Sequence, residues 1–292
     1  MKPIFKKISV IGLGLIGTSI LHAIRAQNNK EIVTYAYDIN SKHRDTVSEM
    51  GIANFVCDNT HNAVKEADLI ILAIPVGSMK TLASSISPSL KEGAIVTDTG
   101  STKTSVIDDV SPFIPKNVIF IPSHPLAGTE YSGPKSGFGT LFENRYWLII
   151  SEKETRHTKN LTMFFQNLGS IVETVSATYH DKILAITSHL PHLIAYTIVG
   201  TASDLESDLK NDVIKYSASG FRDFTRIAAS DPIMWRDVFL NNTDAILEML
   251  QRFNEDLSDL QKAIRKKQGK KLHLFFSRTR LIRKRIVEAG QD

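Results

Sequence analysis

The sequence predicts an α/β Rossmann-type dinucleotide-binding domain followed by an all-α helical domain. Short apolar runs alternate with helical segments over residues 1–176, which is the pattern of βαβ units and a parallel sheet. A G-x-G-x-x-G run directly follows the first apolar run. Over residues 177–292 the apolar residues recur only at helical spacing. We therefore expect a nucleotide-binding domain at 1–176 and a helical domain at 177–292.

The predicted strands follow one another in a regular order. "KISVIGLG" predicts a first strand that ends in glycines, and "LIGTSILHAIRAQ" predicts the helix after it. "IVTYAYD" predicts a second strand, and the wholly apolar "ADLIILAIP" predicts one that is buried on both faces of the sheet. "GAIVTDTGS" and "VIFIPSHP" each predict a strand with small polar residues at its end. "YWLIIS" and "IVETVS" add two later strands around a helix near 155–167.

The composition is that of a soluble globular protein. The chain has 292 residues, of which 42% are hydrophobic and 23% charged. No uninterrupted apolar run reaches the roughly 18 residues that a membrane span needs, so we expect no membrane partner. The first apolar run is short, broken by glycine and lacks a small-residue cleavage site, which argues against a signal peptide. The single cysteine, Cys57, is most simply a small buried residue, and a cytoplasmic location is expected.

The positive charge is concentrated near the end of the chain. Residues 262–285 contain eleven Lys and Arg and no acid, while the remainder has a net charge of −7. A basic run of this kind can indicate nucleic-acid binding. The simpler interpretation is a solvated helix end, or one that meets the acidic "SDLESDLKND" of its own or a second subunit. Since no nucleic-acid-binding motif surrounds the run, we expect no nucleic-acid partner.

The glycine run has the spacing of a dinucleotide fingerprint. Gly12 allows a tight turn, Gly14 lets the backbone approach a pyrophosphate, and Gly17 lets helix and strand pack closely. The helix that begins at Leu15 and Ile16 offers free N–H groups to the phosphates. Asp38 lies at the end of the second strand, where an acid binds the ribose 2′-hydroxyl of NAD and repels the 2′-phosphate of NADP. We expect NAD, with NADP disfavoured; Asp38 can also cap a helix.

Polar and small residues follow the later strands, at the edge of the sheet where ligands bind. Ile74, Pro75 and Thr99 are expected to line the cofactor. His124 follows the sixth apolar run and is expected at the mouth of a strand, facing the nicotinamide. A neutral histidine there can take a proton from an alcohol as hydride leaves its carbon. The alternative is a structural histidine that caps the loop.

Five segments together resemble the prephenate dehydrogenases, including those that also accept arogenate. They are "GLGLIGTSI", "DTGSTK", "SHPLAGTEYSG", "TSHLPH" and "GFRDFTRIAASDPIMWRDV". The resemblance covers nearly the whole chain in order. It implies oxidation of prephenate with NAD or NADP, loss of CO2 and formation of 4-hydroxyphenylpyruvate on the way to tyrosine. It also implies a homodimer formed through the helical domains.

The resemblance implies roles for individual residues. His124 matches the base that acts on the ring hydroxyl, and Ser101 matches a serine near that hydroxyl and the nicotinamide. Arg226 matches the arginine that binds a substrate carboxylate, and His192 lines the pocket for the substrate side chain. Surface salt bridging is the alternative for Arg226.

Further residues are expected around the substrate. Arg222 is placed to pair with Glu130 at the pocket mouth or to make surface salt bridges, and Trp235 lies near the active site of the dimer or in the core. Ser219 stands where relatives often carry glycine, so it could narrow the pocket and change the side-chain preference.

Other functions remain as alternatives. His189 and His192 could suggest a metal, but no third ligand motif accompanies them and we expect none. A β-hydroxyacid dehydrogenase shares this domain order, yet it relies on a helical-domain lysine with no clear equivalent here. An NAD-sensing regulator that binds DNA would need a helix-turn-helix or similar reader. With no fused mutase or regulatory segment apparent, we expect a monofunctional dehydrogenase.

Overall fold

Six parallel strands form the main sheet. The computed structural model describes residues 2–204, 212, 215–288 and 290, so most of the acidic 203–212 stretch lies outside them. The strand order is β3-β2-β1-β4-β5-β6, with every pair parallel, so the carboxyl ends of all six strands share one edge. The strands are β1 (Lys7–Ile11), β2 (Val33–Tyr37), β3 (Phe55–Val56), β4 (Leu69–Leu72), β5 (Ile95–Asp98) and β6 (Ile119–Phe120).

Five helices connect these strands, and buried apolar residues form two clusters. Alternate residues of β1 and β4 enter different clusters, as expected for strands buried on both faces. The helices are α1 (Leu15–Ala26), α2 (Ser41–Met50), α3 (Thr60–Val64), α4 (Met79–Ile86) and α5 (Thr104–Val110). This is the doubly wound order of a dinucleotide-binding fold, and it confirms the predicted fold class.

A second sheet of three strands follows. It contains β7 (Ser123–Pro125), β8 (Tyr146–Ile150) and β9 (Ile171–Val175), with α6 (Arg156–Asn167) between the last two. β7 is antiparallel to β8, and His124 pairs with Leu148. From the "VIFIP" run His124 was expected at the mouth of a strand, and the structure places it in a further strand, β7, that the sequence did not predict. That run ends as β6, and the chain then enters the second sheet, which holds His124 in a strand.

Helices make up the described remainder of the chain. The first group belongs to the same compact unit as the sheets, which ends at Asn242. It contains α7 (Ala177–Leu184), a π-helical turn (Ala185–His189), α8 (Leu190–Ser203), α9 (Ser219–Thr225) and α10 (Pro232–Asn241). A second unit comprises α11 (Thr243–Arg265) and α12 (Gly269–Glu288), which pack as a helical hairpin. The domain boundary near residue 176 stays a prediction from the sequence.

The continuous helical stretch Ala177–Ser203 is long and apolar enough, by length and composition, to cross a membrane. Only 28% of its most apolar window is buried in the chain. The sequence-based estimate considered uninterrupted apolar runs and so missed this helix. One helix of this kind is weak evidence for a membrane span, because helices at apolar interfaces have the same composition.

Candidate active site

The turn between β1 and α1 has the geometry of a nucleotide cradle. Gly12 has φ = +96°, and its N–H donates to the Tyr37 carbonyl at 2.8 Å. A side chain at Gly12 would collide with the Ala73 carbonyl oxygen, and one at Gly17 would collide with the Gly12 carbonyl oxygen. Both glycines are therefore required by the fold itself.

Gly14 differs from these two glycines. It is the N-cap of α1, its backbone is extended, and a Cβ built on it would have no neighbour within 4 Å. No contact within the described chain therefore requires glycine there. The open space lies at the first turn of α1, at Leu15 and Ile16, where helix N–H groups attract an anion. The residues present thus fit a dinucleotide pyrophosphate.

Asp38 is held in place for a ribose. One carboxylate oxygen accepts the Leu13 N–H at 2.7 Å and the other accepts the Asn40 N–H at 2.8 Å. Arg44 donates to the Asp38 carbonyl oxygen at 2.8 Å. The Arg44 guanidinium also lies over the Tyr37 ring at 5.7 Å, so its charge sits at the end of β2 beside Asp38. The positive charge of Arg44 partly offsets the repulsion between the Asp38 carboxylate and the 2′-phosphate of NADP. The Asp38 carboxylate is therefore the group on which discrimination against NADP depends.

The other predicted cofactor residues lie at the same edge of the sheet. Ile74 lies after β4 and is in contact distance of the Gly12 turn. Pro75 precedes the 3-10 turn Val76–Ser78. The Thr99 N–H donates to the Leu72 carbonyl at 3.1 Å, which continues the β4–β5 ladder beyond the strands.

A buried ion pair lies beneath this edge. The Lys103 ammonium donates to the Asp98 carboxylate, and both side chains are 0% exposed. Lys103 also donates to the Ser123 carbonyl at 2.7 Å, and the Ser123 N–H donates to Asp98 at 3.2 Å. The Gly100 N–H donates to Asp98 at 2.7 Å. This network joins the end of β5 to β7 and so fixes the residue next to His124.

His124 is part of a buried chain of three side chains. Its Nδ1 lies 2.9 Å from His180 Nε2, and His180 Nδ1 lies 2.8 Å from Asp181 Oδ1. Asp181 in turn accepts the N–H groups of Lys103 at 2.8 Å and Thr104 at 2.9 Å, at the start of α5. The sequence analysis missed His180, Asp181 and Lys103. The adjacent His and Asp in "TYHDKIL" were the available signal.

The protonation states follow from burial and contacts. Burial, followed by the nearby His180, Lys103 and His189, holds the pKa of His124 well below its usual value of 6.5. Burial also lowers the pKa of His180, and this outweighs the opposing effect of the hydrogen bond that His180 donates to Asp181. Burial alone would raise the pKa of Asp181, but hydrogen bonds from His180, Thr104 and Lys103 keep it low. At neutral pH the uncharged His180 ring therefore lies between the Asp181 carboxylate and the uncharged His124 ring.

His189 extends this buried network toward Ser101. Asn242 donates to the Asp181 carbonyl at 2.9 Å and lies 3.1 Å from His189 Nδ1. Burial lowers the pKa of His189 to about 4, and the backbone of Ser101 lies close enough to oppose this slightly. The structure therefore brings the Ser101 backbone beside His189.

A second group of residues lies closer to the surface. Arg226 donates to Glu130 at 2.8 Å, with 58% and 22% of their side chains exposed. The His192 ring stacks on Trp235 at 3.6 Å between centroids. Burial lowers the pKa of His192, and the charge of Arg226 adds to this, which places Arg226 near that ring. His189 also contacts Trp235 edge to face at 6.1 Å, so the two groups adjoin.

Two predicted contacts are different in the structure. Arg222 was expected to pair with Glu130, but Arg226 makes that ion pair instead. Arg222 lies in the last turn of α9, whereas Arg226 begins the 3-10 turn Arg226–Ala229. Ser219 is exposed at the start of α9, so a narrowing of the pocket by its side chain is not evident. Within the described ranges no group of three His, Cys, Asp or Glu could hold a metal.

A doubly wound sheet with this glycine turn, and with an acid at the end of β2, defines a dinucleotide-binding protein. The family model for the prephenate dehydrogenase nucleotide-binding domain matches residues 20–175, and the one for the prephenate dehydrogenase dimerization domain matches residues 176–278. The chain belongs to the prephenate dehydrogenase family. It is an oxidoreductase with NAD as its cofactor, as the sequence predicted, and its C-terminal match is to a domain that dimerises.

Individual relatives agree with this family. The chain is 39% identical over 268 residues to the cyclohexadienyl dehydrogenase of Zymomonas mobilis, which covers 91% of each chain. It is 33% identical to the prephenate dehydrogenase of Lactococcus lactis, over 95% of this chain and 77% of the relative. A solved structure of Aquifex aeolicus prephenate dehydrogenase with hydroxyphenyl propionate and NAD+ is similar, with a TM-score of 0.88, 30% identity and coverage of 96% and 98%.

The rival dehydrogenase class shares only the fold. A 3-hydroxyisobutyrate dehydrogenase from Salmonella typhimurium superimposes with a TM-score of 0.58 at 12% identity, over 85% of this chain and 88% of its own. This likeness reflects the common order of a Rossmann domain and helices.

The cradle predicts different outcomes for two glycines that lie three residues apart. Gly14→Ala should fold normally, losing no more than about 1 kcal/mol of stability at the N-cap. Its methyl group should occupy the pyrophosphate position and weaken NAD binding at least about tenfold. Gly17→Ala, the matched control, should instead lower the melting temperature, since its methyl group collides with the Gly12 carbonyl. Calorimetry of NAD binding and thermal unfolding separate the two, and unchanged NAD affinity in Gly14→Ala would contradict the assignment.

Proposed function

We propose that this chain oxidises prephenate with NAD, releasing CO2 and 4-hydroxyphenylpyruvate, and that His124 takes the proton of the ring hydroxyl. The supporting observation is a buried, uncharged histidine beside the cofactor edge of the sheet, with one ring nitrogen already engaged by His180. When bound, the nicotinamide supplies the acceptor for the hydride that leaves the hydroxyl-bearing carbon.

The residues of the chain then handle the proton and the charges. His124 accepts the hydroxyl proton as the carbon becomes a carbonyl. Loss of CO2 from the opposite ring carbon makes the ring aromatic and leaves a phenolate, to which His124 can return the proton. Ser101 is proposed to hydrogen-bond the same hydroxyl. The oxidation and decarboxylation therefore need no base other than His124.

Substrate recognition is assigned to the second group of residues. Prephenate carries two carboxylates, and Arg226 offers a planar guanidinium suited to one of them. Glu130 pairs with that guanidinium, as a carboxylate of the substrate would. His192 and Trp235 form the adjoining wall toward the substrate side chain. Arogenate shares the ring carboxylate, so this recognition is compatible with both substrates.

We also infer a homodimer in the cytoplasm. The helical segment that matches the dimerization domain exposes apolar side chains, including Ile186 and Ile198 on the helical stretch and Leu240 on α10. Exposed apolar surface of this kind is typical of subunit interfaces. Sedimentation equilibrium should give twice the 32.5 kDa mass of one chain, and a monomer at assay concentrations would contradict the inference.

The base assignment predicts both a rate and a pH effect. His124→Asn should reduce kcat by about 10²–10⁴-fold and leave NAD binding nearly unchanged. In the wild type, kcat/KM should fall as pH decreases, because the protonated ring cannot accept a proton. Since burial lowers the pKa of His124, this acidic limb should lie below pH 6.5. Steady-state assays with prephenate and with arogenate measure both effects, and a mutant that keeps the wild-type kcat and limb would refute the role.

The carboxylate assignment predicts a difference between two arginines one turn apart. Arg226→Ala should raise the KM for prephenate about 10–100-fold, a smaller effect than for a buried contact because the side chain is partly exposed. Arg222→Ala removes the same charge nearby and should change KM less than about threefold. Equal effects of the two substitutions would indicate general electrostatic attraction in place of a specific contact.

A further inference from the structure

The chain His124–His180–Asp181 has a defined direction of hydrogen bonding. Asp181 is kept ionised by its hydrogen bonds, so its carboxylate can only accept, and His180 Nδ1 must donate to it. An uncharged His180 carries one proton, which is on Nδ1, so its Nε2 has a lone pair and can only accept a hydrogen bond. His124 Nδ1, 2.9 Å away, is therefore the donor. An uncharged His124 with its proton on Nδ1 has its lone pair on Nε2.

The carboxylate at the start of this sequence of bonds is rigidly placed. Asp181 accepts two N–H groups at the first turn of α5, from Lys103 and Thr104, and its own carbonyl is held by Asn242. His180 is 0% exposed and Asp181 5% exposed. The direction of the bonds cannot be reversed without leaving the lone pair of His180 Nδ1 facing the ionised Asp181 carboxylate, which can only accept.

We propose that His180 and Asp181 are positioning residues that hold His124 in the tautomer whose Nε2 can accept the substrate proton. This inference rests on the proposed role of His124 as the base. Without a neighbour of this kind an uncharged histidine can carry its proton on either nitrogen. With the proton on Nε2, His124 could not accept the substrate proton at that atom. In the serine protease triad, a carboxylate sets the tautomer of the base in the same way, and its loss costs about 10⁴-fold in kcat.

A purely structural role for His180 predicts a different result. If its ring only filled space and satisfied buried groups, any variant of similar polarity that folds would support the same activity. The tautomer of His124 would then be indifferent to residue 180. A pair of amide variants distinguishes these possibilities, because their side chains differ only in reach.

The experiment compares His180→Gln with His180→Asn. The Gln amide reaches about as far as histidine Nε2, so its oxygen can accept from His124 while its NH2 group faces Asp181. The Asn amide reaches only as far as Nδ1, so it keeps the contact with Asp181 and loses the one with His124. We expect His180→Gln to keep kcat within about fivefold. His180→Asn should lose about 10–100-fold in kcat, part of the contribution of a general base, while KM and NAD affinity change less than about threefold.

A direct readout of the tautomer completes the test. Nitrogen-15 spectra of histidine-labelled protein, with the His124 signals assigned by their loss in His124→Asn, should show Nδ1 protonated in the wild type and in His180→Gln. Protonated Nε2 in the wild type, or equal kcat losses in the two variants, would overturn the proposal. Should His180→Asn fail to fold, the wild-type spectrum still decides. Lack of prephenate turnover by the wild type would instead contradict the proposed function and leave the tautomer measurement intact.

Discussion

The buried ion pair of Lys103 with Asp98 is the contact on which the site depends. Both side chains are fully withdrawn from water, so each charge must be neutralised by the other and by the backbone around it. The Lys103 ammonium also donates to the Ser123 carbonyl, and the Asp98 carboxylate also accepts the Gly100 N–H. The backbone N–H of Lys103 donates to the Asp181 carboxylate. The pair and the Lys103 backbone thus fix the strand that carries His124, the loop that carries Ser101 and the middle of α7. Breaking it by removing one partner would leave an unpaired buried charge, which typically costs about 3–5 kcal/mol.

The helical region contributes chemistry as well as an interface. α7, the π-helical turn and α8 present His180, His189 and His192 over about three turns of one continuous helix. The first two lie in the buried network with Asp181 and Asn242, and the third stacks on Trp235 near Arg226. This single helix therefore connects the proton-transfer group with the carboxylate-binding group.

The sequence predicted the fold and the cofactor cradle because their signals are local. Strand periodicity, the glycine spacing and the position of Asp38 after the second strand can each be recognised within a short stretch of sequence. The bond between His124 and His180 spans 56 residues, and the one between Lys103 and Asp181 spans 78, so no local pattern reveals them. The ion pair of Arg226 with Glu130 illustrates the same limit, since 96 residues separate the two partners. The resemblance implied roles for His124 and Arg226, but the groups that contact them are distant in the sequence and come together only in the folded chain.

The π-helical turn at Ala185–His189 sets the angle around the helix axis between His180 and His192. A π turn contains about one more residue per turn than an α-helix. If the same residues formed a regular α-helix, every side chain beyond the turn would rotate by about 100° around the helix axis relative to His180. His192 would leave Trp235, although each residue of the site would still be present. The wide turn between these two histidines is therefore as much a part of the active site as the histidines themselves.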